Sequence, residues 1–199
     1  MNGRLMLLYL QSRRTWATIG ILAVVAAVTW WGLDRTGDAG LTTFLLTIMP
    51  LGAAAVIGVG AGSPFGEAER TASFSLPALR LGHLGGLLLC AALALAMANR
   101  AAPAAETAWS LVRNGAGYAG LALLGARLLG AGPAWAVPVA YVLAVPIAGL
   151  AGVPAERWWM WPAEDATDGS AWVSALLLLA LGLAAIAVWG ARDEPGEVA

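Results

Sequence analysis

Apolar residues fall in six runs, about 16–33, 41–61, 81–98, 115–129, 135–151 and 171–189, separated by short polar stretches. A helix needs about 20 mainly apolar residues to cross a hydrocarbon core of ~30 Å. The pattern predicts an all-α integral membrane protein with six transmembrane helices, forming a single transmembrane domain over residues 1–199. Ahead of the first run, residues 2–14 mix leucines with Arg4, Gln11, Arg13 and Arg14, which suits an amphipathic helix lying in the membrane surface. The first run is too long for a signal-peptide core and is read as a retained helix.

The connections refine this picture. Residues 34–40 form a turn so short that the first two spans must be an antiparallel hairpin. Pro50 should kink the second span, while Pro138 and Pro146 should bend or break the fifth. Gly58 with Gly62, and Gly82 with Gly86, are small-residue pairs at the spacing that permits close helix packing in lipid. Residues 152–170 are too rich in tryptophan for a plain aqueous loop and are expected to dip into the interface outside the cell.

The longest polar interruption that the expected topology places in the cytoplasm runs from Ser63 to His83, with a candidate coupling segment at 63–80. Burying Glu67, Glu69, Arg70 and Arg80 in hydrocarbon would cost about 2.5–3.5 kcal/mol per charge, so the segment belongs in water or at an interface. Ser63 followed by Pro64 is a helix start, with Glu67 and Glu69 near the positive end of the dipole. Phe65 and Phe74 are apolar anchors for such a short helix. Two readings stand side by side: a docking element for a soluble partner, and an ordinary solvated loop.

Composition narrows the function. Hydrophobic residues make up 60% of the chain and charged residues 12%, which leaves no room for a soluble catalytic domain. There is no phosphate-binding glycine loop, so any ATP hydrolysis belongs to another chain. A near-zero net charge without a basic cluster argues against nucleic acid. His83, the single histidine, has no partners for a metal site, and Cys90 in an apolar run reads as a buried hydrophobe. No convergent set of catalytic residues is visible either. Arg127 is the charge deepest in a run; being near one end, it is expected to snorkel to the headgroups, with a place on a substrate path as the lesser alternative.

With both termini in the cytoplasm, Arg4, Arg13, Arg14, Arg70, Arg80, Arg127 and Arg192 lie inside, against Arg35, Arg100, Arg113 and Arg157 outside. In that arrangement all ten tryptophans fall at or near span ends, as an aromatic belt requires.

The six spans, the amphipathic start, the SPFGEAER and LPALRLGHL stretches and the RWWMWPAEDATDG stretch before the last span resemble the membrane (permease) subunit of an ATP-binding-cassette exporter, of the small actinobacterial type. The use of arginine to the exclusion of lysine fits a high-GC genome. The resemblance implies a plasma-membrane protein that shares its path with a second membrane subunit, identical or not, and is driven by a separate ATPase holding ATP and magnesium. It also implies that Phe65, Glu67, Glu69, Arg70 and Phe74 form the ATPase-coupling element, and that residues around 154–168 correspond to the family's external helices. Few buried charges suit an amphiphilic or lipid-like cargo. Two alternatives remain: the substrate-binding subunit of an energy-coupling-factor importer, and a non-transport membrane scaffold.

Overall fold

The computed structural model describes residues 15–35, 38–62, 76–98, 105–152 and 158–192. These form six long helices, α1 Thr15–Arg35, α2 Ala39–Gly60, α3 Leu76–Ala98, α4 Ala105–Leu128, α5 Ala136–Leu150 and α6 Gly169–Trp189, with 3-10 turns at Gly132–Trp135 and Trp158–Ala163. There is no strand among the described residues. Five of the helices, α1, α2, α3, the Gly132–Leu150 unit containing α5, and α6, are long and apolar enough to cross a membrane. α4 is the exception: it carries Glu106, Arg113 and Arg127 along 24 residues, enough for ~36 Å of helix.

Local chemistry sets the boundaries. Asp38, extended at the N-cap of α2, accepts a hydrogen bond from the Leu41 amide at 2.7 Å, and Asp168 does the same for Ala171 at the start of α6. α4 stops just before Gly130, whose φ of 104° suits only glycine, and α6 stops at Gly190 with φ of 75°. α5 runs without a break, so of the bend or break expected for the fifth span the break does not occur. Pro138 falls in its first turn, where a missing N–H costs no intrahelical bond, and only Pro146 is interior. α4 begins at Ala105, about ten residues before the run at 115–129, so much of the polar stretch ahead of that run is already helical.

α4 is the hub. Leu111, Tyr118, Ala119, Ala122, Leu123 and Ala126 are all buried along it, while its neighbours turn large apolar side chains outward, among them Val24, Leu93, Leu143, Ile147 and Leu177. A helix screened from lipid by other helices can hold polar groups that a lipid-facing helix cannot. That screening explains why the least apolar helix sits in the middle.

Small residues let the backbones approach. A Cβ on Gly182 of α6 would lie 2.7 Å from the Gly120 carbonyl oxygen of α4, and one on Gly120 would meet the Leu178 and Leu179 backbone. Gly58 and Gly62 behave as their spacing suggests, against Ala122 and Ala131, where added Cβ atoms would come within 2.8 and 2.7 Å. Gly82 and Gly86 differ: nothing lies within 4 Å of either, and both face outward.

The bundle has two distinct ends. At one, the His83 imidazole meets the Gly60 carbonyl, Gly190 abuts the Arg80 guanidinium, and Arg192 bonds the Ala126 and Leu128 carbonyls, gathering the C-termini of α2, α4 and α6 with the start of α3. Exposed Trp16, Trp135 and Trp189 ring this end. The other end gathers the α1–α2 turn, the start of α4 and the segment before α6, with Trp30, Trp31 and Trp109 exposed around it. Two belts of exposed tryptophan separated by apolar surface are what two membrane interfaces select.

Candidate functional site

The chemically distinctive place is the second end, where the segment leading into α6 folds back into the bundle. Trp161, in the 3-10 turn Trp158–Ala163, is 1% exposed and stacks on Tyr141 of α5 with ring centroids 5.7 Å apart and planes 14° apart. Tyr118 of α4 lies against the same indole at 5.1 Å. Gly117 supplies the room: a Cβ there would run into the Trp161 ring. The Tyr141 hydroxyl donates to the Trp159 carbonyl, tying the turn to α5.

Arg113 closes the arrangement from below. Two turns into α4 and 1% exposed, it donates to the Asp165 carbonyl at 2.5 Å, the Glu164 carbonyl at 2.9 Å and the Asn114 side-chain oxygen at 3.3 Å. The charges of Glu164, Asp165 and Asp168 stand near enough to favour the guanidinium. A buried cation costs free energy unless its donors are satisfied, and here three acceptors, two of them main-chain carbonyls, take hydrogen bonds from it. The segment 158–168 is thus a plug in this end of the bundle, held by an aromatic sandwich on one side and a guanidinium clasp on the other. Asp168, outside the helices, keeps its charge because the Ser170 hydroxyl at 2.6 Å and the Ala171 amide hold its carboxyl below the usual carboxylate range.

Arg113 was expected in an external polar connection; the structure places it inside α4 instead, because α4 starts earlier than the apolar run. Arg127 lies in the last turn of α4 at the opposite end, half-buried, where a cation favours the helix dipole and its stem can reach the interface. Phe65, Glu67, Glu69, Arg70 and Phe74 lie outside the described residues, as does the expected surface helix at 2–14. The His83 Nε2 lies 3.3 Å from the Gly60 carbonyl oxygen, and among the described residues no group of three or more His, Cys, Asp and Glu is placed to hold a metal ion. Tyr118 and Tyr141 were passed over in the sequence; the Tyr141 hydroxyl finds the Trp159 carbonyl, whereas the buried Tyr118 hydroxyl has no partner among the described residues.

These features define an all-helical protein whose apolar helices are compatible with a multi-pass membrane location. Comparison with protein-family models, with curated proteins and with solved structures finds no match.

Proposed function

We propose that this chain is the membrane-spanning subunit of an ATP-binding-cassette transporter of the exporter-permease class, with α4 as the sixth crossing and both termini in the cytoplasm. It would sit in the plasma membrane, as expected for a high-GC actinobacterial source, and share the path with a second membrane subunit. A separate ATPase, with its ATP and magnesium, would supply the work. The cargo is amphiphilic or lipid-like: Arg113, the one fully buried guanidinium among the described residues, spends its hydrogen bonds on main-chain carbonyls and the Asn114 amide, so it is not set aside for an ionic substrate.

The observation that carries this reading is the polarity of the bundle. Arg80, Arg127 and Arg192 gather at one end, against Arg35 and Arg113 at the other, where every aspartate and glutamate among the described residues, Asp34, Asp38, Glu106, Glu164, Asp165 and Asp168, also lies. Arginine excess marks the cytoplasmic side. The end of α2 and the start of α3, which flank residues 63–75 in sequence, lie at that arginine end, while the aromatic plug occupies the opposite face.

The test is co-expression with a candidate partner ATPase. Replacing Phe65 and Phe74 by Ala should weaken co-purification and coupled ATP hydrolysis more than Glu69→Gln, since a buried aromatic anchor is worth ~2 kcal/mol or more and rim charges mainly orient. Wild-type values after removing both aromatics together with Glu67 and Glu69 would reduce the segment to a solvated loop.

A further inference from the structure

Beside the plug, and separate from its aromatic sandwich, Trp109 of α4 and Trp172 of α6 meet nearly at right angles, with centroids 6.0 Å apart and planes at 74°. Together with Ala166 and Thr167 they line an open cleft of about 350 Å³. Both walls are indole rings, and Ala166 and Thr167 form the remaining lining between Asp165 and Asp168 in the chain. Trp172 is fixed there by its indole N–H, which donates to the Ala166 carbonyl at 2.9 Å, whereas Trp109 is 56% exposed.

Perpendicular aromatic walls suit alkylammonium cations, whose spread charge is attracted to the ring faces and whose methyl groups fill an apolar corner. The local charge fits: Glu164, Asp165 and Asp168 flank Ala166 and Thr167 in the chain, and the Arg113 guanidinium is 1% exposed and bonded to the Asp165 and Glu164 carbonyls. The same end of the bundle already uses this contact internally, where the Arg35 guanidinium lies 5.6 Å from the Trp31 ring. Both rings sit in the first turns of their helices, at the level where tryptophan marks the headgroup region.

We propose that the Trp109–Trp172 cleft binds the alkylammonium headgroup of a membrane lipid. The site requires only that this end of the bundle lie at a bilayer surface, and it stands whether or not an ATPase drives the chain.

The test uses the full chain in nanodiscs of phosphatidylglycerol, which has no amine, with choline as the probe followed by saturation-transfer NMR. Choline should give a saturable signal, and its neutral isostere 3,3-dimethylbutanol should bind roughly two- to fivefold more weakly or not at all. Trp109→Leu, at an exposed position that leaves the Trp172 bond in place, should weaken choline by a similar factor, and Asp165→Asn should weaken it less. Nanodiscs of phosphatidylcholine should abolish the choline signal by occupying the cleft. Equal binding of choline and its neutral isostere, or wild-type affinity in Trp109→Leu, would overturn the aromatic cation site. Undiminished choline binding in phosphatidylcholine would overturn the assignment to a lipid headgroup.

Discussion

The two ends of the bundle are built on different principles. At the arginine end, contacts are made by backbone and by the tips of long side chains: Arg192 on the final carbonyls of α4, Arg80 against Gly190, His83 on the Gly60 carbonyl. At the acidic end, a segment without regular helix is buried by aromatic rings and a guanidinium, with Trp161 and Arg113 each 1% exposed. Irregular backbone near membrane depth persists only where protein groups satisfy it, and Arg113 and Tyr141 do so for the carbonyls of residues 159, 164 and 165. The acidic end is therefore braced by buried aromatic and guanidinium side chains, the arginine end by backbone contacts and side-chain tips.

That contrast can be broken by substitution. Trp161→Ala empties the aromatic sandwich and should cost about 3–5 kcal/mol, the range for large aromatic truncations, measured by denaturant titration in detergent. A loss below ~1 kcal/mol would mean the plug is not braced by its indole. Arg113→Met keeps the stem while removing the donors to two carbonyls, and should cost about 1.5–3 kcal/mol, with residues 158–168 becoming more open to limited proteolysis. At the other end Arg192→Ala should cost less than ~1 kcal/mol, as for a cation at an exposed helix C-terminus. If Arg192→Ala proved as damaging as Trp161→Ala, the ends would not differ in the way described.

The smallest effect is a pH dependence. The Asp168 carboxyl is held below its unfolded value, so its contribution is fully present above the usual carboxylate range and is lost as pH falls through that range toward the lower folded value. Stability of the wild type should fall over that acid window more than that of Asp168→Asn, which keeps a side-chain acceptor for the cap but cannot titrate. Identical acid profiles would show that the Ser170 and Ala171 bonds do not perturb the group.

Much of the helical framework was legible because lipid solvation demands long apolar runs, and those runs map onto α1 to α6. The α1–α2 hairpin followed from the shortness of 34–40, and Gly58 with Gly62 from spacing alone. What escaped was burial inside the bundle. Arg113 and Asn114 looked like loop residues because hydropathy registers what faces lipid, and α4 faces mostly protein. The reciprocal fit of Gly120 and Gly182 was hidden for a related reason: it depends on which faces of two distant helices meet, and no local pattern carries that. Trp161 read as one more interfacial tryptophan, since its burial depends on Gly117 and two tyrosines from other helices.

The sidedness of the two ends is the claim on which the functional reading rests, and it is measurable directly. In a Cys90→Ala background, single cysteines at Asp165 and at Ala199 are labelled in intact cells with a membrane-impermeant maleimide, before and after permeabilisation. Labelling of the position-165 cysteine in intact cells, with the position-199 cysteine reached only after permeabilisation, is the predicted result. Both positions labelled from the same side would contradict the assignment of the arginine end to the cytoplasm, and with it the ATPase face.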